Sequence, residues 1–334
     1  MSDVLGALMG PGAFFDDHTF RMAFFGTAVI GLVAGALGSF AYLRKQSLIS
    51  DVISHSALPG TLGAFLLAVV VLEVDGRNMA VLMLGAVVAG TLAVGLAQYV
   101  TRATKLSIDA AMAITLSLFF GAGMLLMRII SNGAYPGKGG IQDYLFGNAS
   151  VITKADLIAS ISVGTAALVL MVVFWKEITL RTFDPDHSTV LGFHARAIDA
   201  LMFITIVIAI VIGVKAVGLV LMVAFVVTPP SAARQWTRTL PAMVVLSGII
   251  GGLGSGLGAY LSIAVGGVPT GPLIVLTLFA FLVLSLLLAP GRSLITRARG
   301  RTRHRRILLR QLVAEREAHI EPQGSTTLPG AGQS

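Results

Sequence analysis

Apolar residues run through the middle of this 334-residue chain in long blocks, and its charges gather in the short polar breaks between them. A helix needs about 20 apolar residues to cross the hydrocarbon core of a bilayer. Blocks of that length predict spans at about 20–43, 47–72, 79–100, 107–130, 157–175, 197–214, 241–265 and 271–289. A further apolar piece, 216–228, is too short to span alone. It runs on through Thr228-Pro229-Pro230 toward Arg234 and Arg238 as a proline-broken helix, because neither proline can donate a backbone hydrogen bond. Counting it gives nine spans; eight spans with a re-entrant piece is the rival count. The expected fold is an all-α, polytopic membrane protein of about eight or nine transmembrane helices. Three regions follow: an interfacial N-terminal segment (1–18) broken at Gly10-Pro11-Gly12, a transmembrane domain (19–290), and a tail (291–334).

The basic residues orient the bundle. The breaks at 44–45, 102–105, 176–196 and 234–238, with the tail, hold 18 of the 24 Lys and Arg residues. Positive loops face the cytoplasm, so the C-terminus is expected inside and the N-terminus outside. That arrangement needs an odd number of spans. Nine of the basic residues follow Pro290, which suits a tail lying on anionic membrane lipid rather than one binding nucleic acid. Residues 301–319 could form an amphipathic helix, and the Pro, Gly, Ser and Thr that dominate from Glu321 predict disorder.

Composition narrows the chemistry. The chain is 55% apolar and only 12% charged, against about 25% charged in an average soluble protein. It has no cysteine, which removes disulfides, iron–sulfur clusters and thiolate metal sites. It contains no GxxxxGK[ST] phosphate loop and no HExxH. If the protein pumps, a partner must hydrolyse the nucleotide. Gly254-Ser255-Gly256 reads as helix packing rather than as a hydrolase, and Gly31 and Gly35, at GxxxG spacing, permit close helix approach.

The most informative stretch is Ser50-Asp51-Val52-Ile53-Ser54-His55-Ser56-Ala57-Leu58-Pro59-Gly60. Asp51 and His55 stand four residues apart and share a helix face. Pro59 and Gly60 are a candidate helix break. If Pro59 lies within the helix, the carbonyl of residue 55 loses its usual donor. Carboxylate, imidazole and carbonyl together suit a divalent transition-metal ion, and ionisable groups inside membrane helices tend to be functional. The competing reading makes Asp51 a first-turn acid favoured by the helix dipole, His55 a packing residue and Pro59 a kink. Asp109, four residues after Lys105, is a less certain third ligand, or a first-turn acid behind a Ser107 cap. His187 and His194 lie in a polar connection and read as solvated or interface residues.

The connection from Phe183 to Gly192 suggests a short helix, with Asp184 as cap, Pro185 in the first turn and Gly192 at its end. It serves either as an ordinary connector or as a docking element for a motor subunit.

Several motifs in one order resemble the permease subunit of the manganese- and zinc-type ABC metal importers over about 20–290. They are Arg44-Lys45-Gln46-Ser47-Leu48 leading to Asp51, His55 and Leu58-Pro59-Gly60; Ile108-Asp109; Asp143-Tyr144-Leu145-Phe146-Gly147-Asn148; Phe183-Asp184-Pro185-Asp186 with Leu191-Gly192; Val217-Gly218-Leu219-Val220-Leu221; Pro230-Ser231-Ala232-Ala233; and Pro269-Thr270-Gly271-Pro272. Ser188, where the family usually has alanine, and Thr228-Pro229 depart from the pattern. The resemblance implies a type II importer transmembrane domain in a bacterial plasma membrane, working as two permease copies. It also implies cytoplasmic ATP-binding subunits and an extracytoplasmic metal-binding protein. It assigns a metal-path role to Asp51 and His55 and an ATPase-coupling role to Phe183, Asp184, Pro185, Asp186, Leu191 and Gly192. Two copies would supply two carboxylates and two imidazoles to transported Mn²⁺, Zn²⁺ or Fe²⁺, with no permanently bound cofactor. The insertion before Asp143 resembles the manganese-type members. The alternative is an ion-coupled secondary carrier using Asp51, Asp109 and His55 without an ATPase; no inverted repeat supports it.

Overall fold

The computed structural model describes residues 16–44, 47–73, 76, 78–138, 154–218, 222–266 and 268–289. Among these residues every regular element is helical: α1 (His18–Leu43), α2 (Ser47–Leu66, extended by a π turn at Leu67–Val71), α3 (Met79–Ala103), α4 (Ile108–Asn132), α5 (Lys154–Val173), α6 (Trp175–Phe183), α7 (Pro185–Val190), α8 (Ala195–Val217), α9 (Met222–Trp236), α10 (Leu240–Val265) and α11 (Thr270–Leu288). Residues through Ser285 make one compact unit, and Leu286–Ser334 a second. Much of the 1–18 segment, the Asp143–Asn148 motif and the tail, with its 301–319 amphipathic helix, lie outside the described residues.

Among the described residues seven helices are long and apolar enough to cross a membrane: α1, α2, α3, α4, α8, α10 and α11. α5 and α6 together would make an eighth, bent by 70° where they meet. The segment read from sequence as part of a ninth span is the 15-residue α9. At 1.5 Å per residue it reaches about 22 Å, short of a hydrocarbon core about 30 Å thick. Nine spans are therefore not reached among the described residues: seven helices qualify alone, and eight if the bent α5–α6 pair is one span, with α9 the shorter piece.

Both residue pairs expected to break helices lie inside them: Pro59 and Gly60 within α2, Pro229 and Pro230 within α9. Neighbouring helices absorb the disturbance, as membrane bundles allow. Pro230 has no N–H for the carbonyl of Val226, and that oxygen rests against Gly38 of α1, where any side chain would overlap it. Gly60 meets Gly85 of α3 backbone to backbone, each without room for a Cβ, while Leu58 and Pro59 fill the space beside Gly123 of α4. These two residues are packing points, not breaks.

α1 and α10 form the most extensive helix pair. Gly31 abuts Gly251 and Ser255, and the Ser247 hydroxyl donates to the Gly35 carbonyl at 2.5 Å. Small residues at four-residue steps let the backbones touch, and dispersion then works over the whole contact. α2 lies between α3 and α4 and also touches α8 and α9. Its buried residues Val52, Ile53, Ala57, Leu58 and Leu62 set how it is seated.

Candidate functional site

Asp51 and His55 sit on consecutive turns of α2. The His55 Nε2 lies 3.3 Å from the Asp51 Oδ1, with the imidazole 14% and the carboxylate 30% exposed. The Phe120 ring of α4 meets the imidazole edge to face, with centroids 4.9 Å apart and planes at 83°. On the other side of the ring, Nδ1 is buried with no hydrogen-bond partner. Ser54 donates to the Asp51 carbonyl and Ser56 to that of Ile53, while the buried Ser50 hydroxyl has no hydrogen-bond partner. The carboxylate and imidazole are the partly exposed polar groups of this stretch.

Two donor atoms 3.3 Å apart can each stand about 2.1 Å from one divalent cation, subtending about 100° at it. That is near the tetrahedral angle and needs no rearrangement of α2. Among the described residues no group of three His, Cys, Asp or Glu side chains could hold a metal ion. The pair itself supplies two donor atoms, Asp51 Oδ1 and His55 Nε2.

Asp109 does not join the pair in such a group. It lies exposed in the first turn of α4, behind Ser107, whose hydroxyl accepts from the Ala110 N–H at 3.3 Å. This is the geometry of the capping alternative.

The loop from 183 to 192 folds as its sequence signals require. The Asp184 carboxylate accepts from the His187 N–H at 2.9 Å, and Pro185 occupies the first turn of α7. Gly192 follows with φ of +81°, where a side chain would be strained. Ser188 is the buried residue of this short helix, its hydroxyl donating to the Pro185 carbonyl at 3.0 Å. Phe183, Val190 and Leu191 stand out from the surface, the last two 81% and 56% exposed. His187 and His194 are exposed, as their polar setting suggested.

Sequence reasoning passed over Asp199. It lies five residues into α8, and its carboxylate is bridged by Arg44 at the end of α1 (2.8 Å) and Arg181 near the end of α6 (2.9 Å). An acid just inside a predicted span was the available signal, the same one that drew notice to Asp109. Its two partners lie 155 and 18 residues away in sequence, and no local pattern connects them.

A bundle of long apolar helices, with a paired carboxylate and imidazole inside one of them, defines a polytopic membrane protein. The chain belongs to the ABC 3 transport family, whose model matches residues 16–289. It is 38% identical over 290 residues to the "Manganese transport system membrane protein MntC" of Bacillus subtilis, covering 85% of this chain and 65% of that one. It is 37% identical over 281 residues to the "Zinc transport system membrane protein TroC" of Treponema pallidum, covering 84% and 92%. Among solved structures it resembles "PsaBC from Streptococcus pneumoniae in complex with Fab", at a TM-score of 0.73 and 28% identity, over 87% of this chain and 97% of that one.

Proposed function

We propose that this chain is the membrane-spanning subunit of an ATP-driven importer of divalent transition metal, with Mn²⁺ favoured over Zn²⁺ or Fe²⁺. The observation that carries the proposal is the Asp51–His55 pair, 3.3 Å apart inside a membrane helix of an ABC 3 family chain. A relative named for manganese and one named for zinc fit a nitrogen–oxygen ligand set that accepts either metal. Two copies of the chain bring two such pairs to a common axis. An extracytoplasmic binding protein delivers the metal, Asp51 and His55 hold it in transit, and ATP-binding subunits drive its release to the cytoplasm. The 183–192 segment is the surface on which those subunits dock: its capped helix presents Val190 and Leu191 to solvent, where an isolated chain gains nothing by exposing them. In this reading the N-terminus is outside and the basic loops at 44, 102–105 and 176–196 are cytoplasmic; the C-terminus joins them only if the chain through the short α9 makes a further crossing.

Metal binding requires the imidazole neutral and the carboxylate ionised. The test is metal uptake into proteoliposomes holding this chain and its ATP-binding subunit, supplied with metal-loaded binding protein. ATP-dependent uptake that is lost in Asp51→Ala and His55→Ala, at normal expression, is the expected result. Wild-type uptake by both variants overturns the site. ATP-independent uptake by this chain alone overturns the pump in favour of a secondary carrier.

A further inference from the structure

The docking segment is held to the rest of the bundle by little apolar packing. Ile178 is the buried residue of α6 and Ser188 that of α7. Two other attachments fasten the segment, and both reach the last turn of α1. At one end of α6, Trp175 meets Phe40 edge to face, with centroids 5.8 Å apart. At the other end lies the Asp199 cluster. The Arg181 Nη2 and Nε donate to the Asp199 carboxylate at 2.9 and 3.2 Å, while its Nη1 donates to the Pro185 carbonyl at 3.0 Å. One guanidinium therefore grips both α8 and the first residue of α7. The Arg44 Nη2 takes the Asp199 Oδ1 at 2.8 Å. All three side chains are mostly buried, at 13%, 26% and 18% exposure for Arg44, Asp199 and Arg181. Such a pair is screened much less by salt than a surface ion pair.

What lies beyond Arg44 matters. It caps α1, and α2 begins at Ser47, so Asp51 is seven residues further on. A cavity of about 270 Å³ opens beside Asp199, between α3 and α8, lined by Gln98, Arg102 and Phe203 among others. The carboxylate end of α8 is thus tied firmly on the arginine side and loosely packed on the α3 side. Without the carboxylate, two guanidinium groups would face each other and repel, and both links would fail together.

We propose that Asp199 is a positioning residue for transport: through Arg181 and Arg44 it carries movement of the docking helix α7 to the end of α1, seven residues ahead of Asp51, and so to the metal-binding pair on α2. The inference rests on the reading of this chain as the permease of an ATP-driven importer. It assigns to Asp199 a task that metal ligation and ATPase docking do not include.

The test uses the complete complex with its ATP-binding subunit. The chain has no cysteine, so Ser54→Cys, buried on α2 beside His55, gives a single thiol. Its labelling by a water-soluble maleimide is compared between nucleotide-free and vanadate-trapped complex. A change of about fivefold or more is expected in the parent. Adding Asp199→Asn should shrink the change below about twofold in complexes that still assemble and hydrolyse ATP. A parent-like change in Asp199→Asn overturns the proposal. If that variant does not assemble, Arg181→Lys decides. Lysine keeps the charge but cannot span both Asp199 and the Pro185 carbonyl, so it should uncouple in the same way, and a parent-like response overturns the proposal. A parent whose labelling ignores nucleotide overturns this proposal alone if ATP-driven uptake is present, and the importer reading as well if uptake is absent.

Discussion

Gly85 offers a sharp test of how α2 is held. A Cβ built there would overlap Ala64 and lie 2.5 Å from the Gly60 carbonyl oxygen, both on α2, where ordinary contact begins at 3.4 Å. Gly85→Ala must therefore push α2 away from α3 by about 0.9 Å, and overpacking of this kind costs about 1–3 kcal/mol. The push falls five residues beyond His55, about 7.5 Å along the helix, so it also disturbs how the pair is presented to its counterpart. Gly95→Ala on the same helix is the control, because nothing lies within 4 Å of a Cβ there. Alanine favours a helix over glycine by about 1 kcal/mol, so the control should be neutral or stabilising. Thermal unfolding in detergent, followed by tryptophan fluorescence, should lower the midpoint of Gly85→Ala by several degrees and leave Gly95→Ala unchanged or raised. In proteoliposomes Gly85→Ala should also slow uptake, although every donor atom is retained. Equal midpoints for the two variants would refute the backbone contact between Gly60 and Gly85 as the seat of α2.

Two further outcomes follow from the geometry. Asp109→Asn should keep uptake within about twofold of wild type, since Asp109 is an exposed first-turn acid favoured only by the helix dipole; loss of uptake matching Asp51→Asn would instead restore it to the metal path. Asp184→Ala removes the 2.9 Å cap on the His187 N–H and should destabilise α7 by about 1 kcal/mol. The expected readout is weaker co-purification of the ATP-binding subunit with Asp184→Ala than with Asp186→Ala, which leaves the cap in place.

Much of this protein is legible along its chain because its dominant interactions are local. Apolar blocks of bilayer length specify helices that satisfy their own backbone, so α1, α2, α3, α4, α8, α10 and α11 fall close to the hydrophobic pattern. The spacing of Asp51 and His55 on a 3.6-residue period puts them on one face whatever surrounds them. The cap at Asp184 and the turn at Gly192 are set by their own side chains within a few residues.

What depends on distant neighbours was not legible. Prolines read alone as breaks became packing points, because Gly38, Gly85 and Gly123 on other helices accommodate them or the residues beside them. The 15-residue α9 did not reach spanning length. Asp199 acquired its partners only when the ends of α1 and α6 converged on the start of α8. Hydrophobic periodicity reports what a residue does against its own helix and the solvent. Which backbone a glycine touches, or which two arginines share one carboxylate, is decided by how the helices cross, and tertiary packing alone supplies that.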